Sequence, residues 1–233
     1  IATTSGATGD AGGIFLSSNQ ALTTGAISAG GNIALTTTGA NALTVGSTIA
    51  TAAQTATATP SGSITLTSGA GIVVSGAVST GTATVAESGG LDTATSGSIT
   101  LAATTTVSGA STLTTGTAQV DGTTNDDTAT TGSISVDGTS IRLSNATAAL
   151  TTGVSTLTGA TSAADVATSG TITLGPGGGA TTALIDNGTS ATALKVRIGV
   201  PVDTGALGTR TSGTLIATTS GATGDAGGIF LSS

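Results

Sequence analysis

The densest set of ligand-type side chains in this chain is the run Asp121-Gly-Thr-Thr-Asn-Asp-Asp127. Its oxygens, on Asp121, Thr123, Asn125, Asp126 and Asp127, are those a hard cation such as calcium takes. The same residues also make an ordinary polar turn. A second stretch, GATGDAGG from Gly6, is faintly similar to the Gly/Asp calcium repeats of β-rolls, but the full nonapeptide is missing. Aspartate recurs at no single repeat position in this reading. Calcium at Asp121, Asn125, Asp126 and Asp127 is therefore the one cofactor expectation, held beside the plain turn.

Catalytic chemistry has little to work with. The chain has no His and no Cys, so Ser-His and thiol nucleophiles are absent. Lys195 could serve a serine as base, but beside Arg197 on a strand it reads as a solvated face. Glycoside hydrolysis needs two carboxyls about 5–9.5 Å apart across a sugar. Asp126 and Asp127 are adjacent and would face opposite ways on a strand, while Asp121 and Asp137 fall in different parts of a repeat. No catalytic residue and no enzyme activity are expected.

Composition narrows the partners. Eleven acids against four bases give a net charge of −7. Arg142, Lys195, Arg197 and Arg210 form no basic patch, which argues against nucleic acid. With 37% apolar and 6% charged residues, the chain is too hydrophobic for disorder. No apolar run is long enough to span a membrane as a helix. Phe15 and Phe230 are the only aromatics, so any core must be thin. Sequons at Asn145 and Asn187 are noted as flags only.

These side chains sit in a repetitive frame. The phrase IATTSGATGDAGGIFLSS occurs at Ile1–Ser18 and again, unchanged, at Ile216–Ser233, an offset of 215 residues. One full unit, 1–215, followed by the start of the next, 216–233, is the expected organisation. The chain lacks an initiating Met and a visible signal peptide, and reads as an internal piece of something longer. Within the unit, Gly is followed by an alternating apolar triplet: GNIAL at Gly31, GSITL at Gly62 and Gly97, GSISV at Gly132, GTITL at Gly170 and GTLIA at Gly213. GGIFL at Gly12 and Gly227 falls off this beat.

Alternation at period two is the mark of half-buried strands. Further strands are expected at GIVVS, SIRLS, TATV and TAQV, with Gly, Ser, Asn and Asp turning the chain between them. Short strands recurring every 31 to 43 residues imply stacked coils, each covering the apolar row of the last. The expected fold is all-β: a right-handed parallel β-helix of about six coils per 215-residue unit, with handedness following the usual crossover rule. Stacking at about 4.8 Å per coil gives roughly 29 Å per unit. ESGGLDTATS, DGTTNDDTATT and TSAADVATS are expected as loops protruding on one side. The core is expected to be two columns, Ile33, Ile64, Ile99, Ile134 and Ile172 beside Leu35, Leu66, Leu101, Val136 and Leu174.

With LTTGAISAGGNIALTTTG at Leu22 and GSITLTSGAGIVVSGAVS at Gly62, the triplets resemble filamentous haemagglutinin-type repeats of large bacterial surface adhesins. The resemblance implies a parallel β-helix, secretion to the bacterial cell surface, and a rod-like role. Most coils here are longer than the eighteen-residue coil from Gly13 to Gly31, and the family's amino-terminal secretion domain is not seen.

The functional expectation is a structural segment of an extracellular fibre or adhesin stalk. Its partner is itself, through head-to-tail stacking, with lateral fibre contacts or glycans as further candidates. An alternative is a glycan- or surface-binding module using the 176–212 insertion. An ice-binding solenoid is a third class, since Thr65 with Thr67 and Thr171 with Thr173 form Thr-X-Thr pairs. Ala34, Ala102 and Asp137 interrupt those ranks.

Overall fold

The computed structural model describes residues 1–3, 12–55, 59–86, 90–121, 127–144, 150–158 and 166–175, and the backbone of five strands beyond them. The first coil holds β1 (Ile14–Ser18), β2 (Leu22–Thr24) and β3 (Ile27–Ala29). The second holds β4 (Ile33–Thr37), β5 (Leu43–Val45) and β6 (Ile49–Thr51). Three longer coils have five strands each. They are β7 (Ile64–Ser68), β8 (Ile72–Val74), β9 (Val78–Ser79), β10 (Ala83–Ala86) and β11 (Thr93–Thr95); then β12 (Ile99–Ala103), β13 (Thr106–Gly109), β14 (Leu113–Thr114), β15 (Ala118–Asp121) and β16 (Thr128–Thr130); then β17 (Ile134–Asp137), β18 (Ser140–Ser144), β19 (Leu150–Thr151), β20 (Ser155–Thr158) and β21 (Val166–Thr168). The remaining strands are β22 (Ile172–Leu174), β23 (Thr182–Asp186), β24 (Val196–Ile198), β25 (Asp203–Thr204), β26 (Ile216–Thr218) and β27 (Ile229–Leu231).

All the strand pairs are parallel and join successive coils, the arrangement of a β-solenoid. Three seven-stranded faces enclose the rod. Face 1 runs β1-β4-β7-β12-β17-β22-β27 and face 2 runs β2-β5-β8-β13-β18-β23-β24. Face 3 runs β3-β6-β9-β14-β19-β26-β25. Like sits on like. Ile33, Ile64, Ile99, Ile134 and Ile172 pair in register, and Leu35, Leu66, Leu101, Val136 and Leu174 form the next column. All ten are buried, together with Leu43, Ile72, Val107 and Ile141 of face 2 and Ile49, Val78, Leu113 and Leu150 of face 3. Each such aliphatic side chain contributes about 1.5–3 kcal/mol on burial. Among the described residues no aromatic enters this core, Phe15 being exposed, so the three faces lie close together.

Two differences from the sequence reading matter. GGIFL is on the beat, because β1 and β27 both belong to face 1. GTLIA is not, because β26 lies on face 3. Alternation within a triplet shows which residues face inward, but every face of a three-sided rod alternates. The pattern cannot say which face a triplet occupies.

The second difference concerns the insertions. In the three long coils they are not simple loops. After face 3 the chain runs along β10, β15 or β20, which stack as one parallel sheet. It comes back along β11, β16 or β21, which stack as another, before rejoining face 1. The two sheets close on a second, separate core of Ala83, Val85, Ala118, Val120 and Leu157 against Ala94, Ala129 and Ala167. The result is a thin fin along one side of the rod. TATV and TAQV belong to its outbound sheet. On face 3 the strands of the long coils are very short, as at Val78–Ser79 and Leu113–Thr114.

Candidate functional site

The fin joins the rod through a neck built from Ser, Thr and Gly. The chain leaves at Thr80-Gly81, Thr115-Gly116 and Thr152-Gly153, and returns at Ser61-Gly62, Ser96-Gly97, Thr131-Gly132 and Ser169-Gly170. A Cβ at Gly97 would overlap the carbonyl of Gly62, one at Gly132 that of Gly97, and one at Gly170 that of Gly132. Gly116 stands likewise on Gly81, and Gly153 on Gly116. Only glycine permits so close a backbone approach.

The hydroxyls beside these glycines climb the neck as a staircase. Ser61 Oγ donates to the Gly81 carbonyl at 2.7 Å, Thr80 Oγ1 to Gly97 at 2.8 Å, and Ser96 Oγ to Gly116 at 2.6 Å. Thr115 Oγ1 continues to Gly132 at 3.0 Å. Each of these hydroxyls also accepts a backbone N–H one coil further on: Ser61 from Gly97, Thr80 from Gly116, Ser96 from Gly132 and Thr115 from Gly153, all at 2.8–3.0 Å. A hydroxyl can donate once and accept as well, so one buried side chain satisfies two otherwise orphaned backbone groups. Sequence reasoning took these glycines for turn formers. The signal that was available is a Ser/Thr-Gly pair occurring twice in every long coil.

A parallel ladder runs at the edge of face 1. Asn32 Oδ1 accepts the Ser63 N–H at 2.8 Å, and Ser63, Ser98 and Ser133 Oγ accept the N–H of Ser98, Ser133 and Thr171 at 3.0–3.1 Å.

The acidic run divides between the two sheets of the fin. Asp121 ends β15 and is exposed, whereas Asp127 lies just before β16 and is 2% exposed. Asn125 and Asp126 lie outside the described residues. Asp127 has a counterpart that the sequence reading missed. Since Thr93 pairs with Thr128, Asp92 stacks directly on Asp127, and it too is fully buried. Aspartate therefore does recur at one coil position. The Asp127 carboxylate accepts the Asp92 N–H at 3.0 Å, so its oxygen ties one coil to the next. The next strand of the stack begins at Val166, which pairs with Thr128. Aligning LDTAT, DDTAT and ADVAT would have revealed the column. Among the described residues no group of three or more Asp, Glu, His or Cys gathers at one point.

Of the 176–212 insertion, three segments are described. β23 and β24 are the last two strands of face 2, and β25 is the last of face 3. Lys195 and Arg210 lie outside the described residues. The amino-terminal end of the rod is edged by β1, β2 and Ile1–Thr3, which pair with β3 through the Ala2–Ser28 bridge. The Ile1 amine donates to the Ala26 carbonyl at 3.0 Å. An apolar hollow there is lined by Ile1, Ala26, Ile27 and Ala50, and Ile1 and Phe15 are both largely exposed. Among the described residues no helix is long and apolar enough to cross a membrane.

Comparison with known proteins finds no matching family model, no matching curated protein and no matching solved structure.

Proposed function

We propose that this chain is a structural segment of a long, repetitive, secreted fibre or adhesin stalk at a bacterial surface, acting without catalysis. The observation that carries the reading is how the two copies of the opening phrase fit one ladder. On face 1, Ile229 pairs with Ile172, and Ile14, the same residue of the first copy, pairs with Ile33. On face 3, Ala217 pairs with Thr151, and Ala2 pairs with Ser28. Six steps of the ladder separate the two copies on each face. A following unit would then continue both faces in phase, with every strand edge covered by the next coil. The likeness to filamentous haemagglutinin-type repeats supports the surface location.

The test is a two-unit chain, residues 1–215 followed by 1–233. Small-angle scattering or electron microscopy is expected to show one rigid rod longer than the single chain by roughly 29 Å, from six layers at about 4.8 Å. Two rods joined flexibly would overturn the reading.

One observation favours a second reading, ice binding. Of the outward positions of the return sheet, Thr95-Thr130-Thr168 form an unbroken threonine column, and Thr93-Thr128 form a second that ends at Val166. One column of the fin is thus free of the interruptions noted in the triplets, and the other is not. Thermal hysteresis that falls with Thr130→Lys but not with Thr84→Lys, on the other sheet, would support it. Absence of hysteresis would sink it.

A further inference from the structure

We infer that β24, β25, β26 and β27 together form a removable cap that imitates Ile1–Thr3 and the first coil of another copy of this chain, and that a second copy displaces it to lengthen the rod end to end. This rests on the fibre reading above and adds its partner and its control.

The last strand on each face stands where the first strand of a following copy would stand. On face 1 that place belongs to β27, whose Ile229-Phe230-Leu231 repeats Ile14-Phe15-Leu16. On the other two faces the place is held by a substitute. Val196 continues the face 2 column that begins at Leu22 and passes through Leu43, Ile72, Val107 and Ile141. Ile198 continues the column of Thr24, Val45 and Val74. On face 3, Asp203 and Thr204 pair with Ala217 and Thr218, in the columns of Ser28 and Ala29. So the substitute matches the register of β2 and β3 without their sequence. A covalently following unit, or a free copy, brings the true β2 and β3 to the same two places. Both cannot be there.

The competition has a direction. The cap is tethered, so it acts at a high effective concentration and keeps the lone chain from associating. The incoming copy presents β1, β2 and β3, with Ile1–Thr3 already paired on β3 and taking the place of β26, and each joint recreates an open end, which is the geometry of a filament.

The experiment is the full chain carrying Val196→Asp and Ile198→Asp, which places charges in two apolar columns of the cap and leaves 1–175 unaltered. Sedimentation velocity is expected to show end-to-end association at a concentration about a hundredfold below that of the unaltered chain. A folded variant that stays monomeric, or that associates no more readily than the unaltered chain, overturns the proposal. Hydrogen exchange on the unsubstituted two-unit chain tests it independently. Residues 196–198 and 203–204 of the first unit should exchange freely while those of the last unit are protected. Equal protection in a single continuous rod would overturn the cap and leave the fibre reading standing; a broken rod would overturn the fibre reading first.

Discussion

At the scale of single residues, the decisive chemistry is that of glycine and a neighbouring hydroxyl. Gly132 has no room for a methyl group because the Gly97 carbonyl lies against it. Gly132→Ala is expected to lower stability by about 1–3 kcal/mol, the usual result of overpacking. Gly25→Ala, with nothing within 4 Å of its Cβ position, should stay within about 0.5 kcal/mol. Denaturant unfolding of the two variants makes the comparison. Ser96→Ala removes the donor to Gly116 and strands the buried Gly132 N–H. A loss of about 1–3 kcal/mol is expected in the same assay. Ser135→Ala, an outward change in β17, should be nearly silent. Composition showed abundant Ser, Thr and Gly but not these roles, because the partners of Ser96 come from coils twenty and thirty-six residues away.

At the scale of elements, the fin is a satellite with its own core. Face-to-face sheets normally need bulky side chains between them, yet the described apolar residues that the return sheet contributes are Ala94, Ala129 and Ala167. Two sheets with so little between them must sit very close. Ala129→Leu should therefore destabilise by about 1–3 kcal/mol, and the damage should stay local. Hydrogen exchange is expected to quicken in 118–121 and 127–130 while β12 and β17 of face 1 keep their protection. Equal loss in both would mean that fin and rod share one cooperative unit. The triplets of face 1 were legible because Ile and Leu alternate with polar residues over several positions. TAT and VAT were read as loop because an Ala between two Thr carries almost no hydropathy contrast. The two-residue strands of face 3 were missed because two positions cannot show a period.

At the scale of the whole molecule, each coil depends on its two neighbours and on little else. Stability should then rise toward the middle of the rod and fray at its ends. Exchange rates are expected to be slowest in β7, β12 and β17 and fastest in β1 and β2, where one edge of each strand is open. Uniform rates along the rod would contradict a stack held by neighbour contacts. What the sequence by itself determined was the class of the fold and the identity of its main apolar columns, since alternation and recurrence are local facts visible in one dimension. Which face each triplet joins, the stacking of Asp92 on Asp127, the buried hydroxyl staircase and the second core were decided only in three dimensions. Those features depend on how many residues each coil spends before returning. That number varies from coil to coil, and only the register between strands reveals which residues have come to lie one above another.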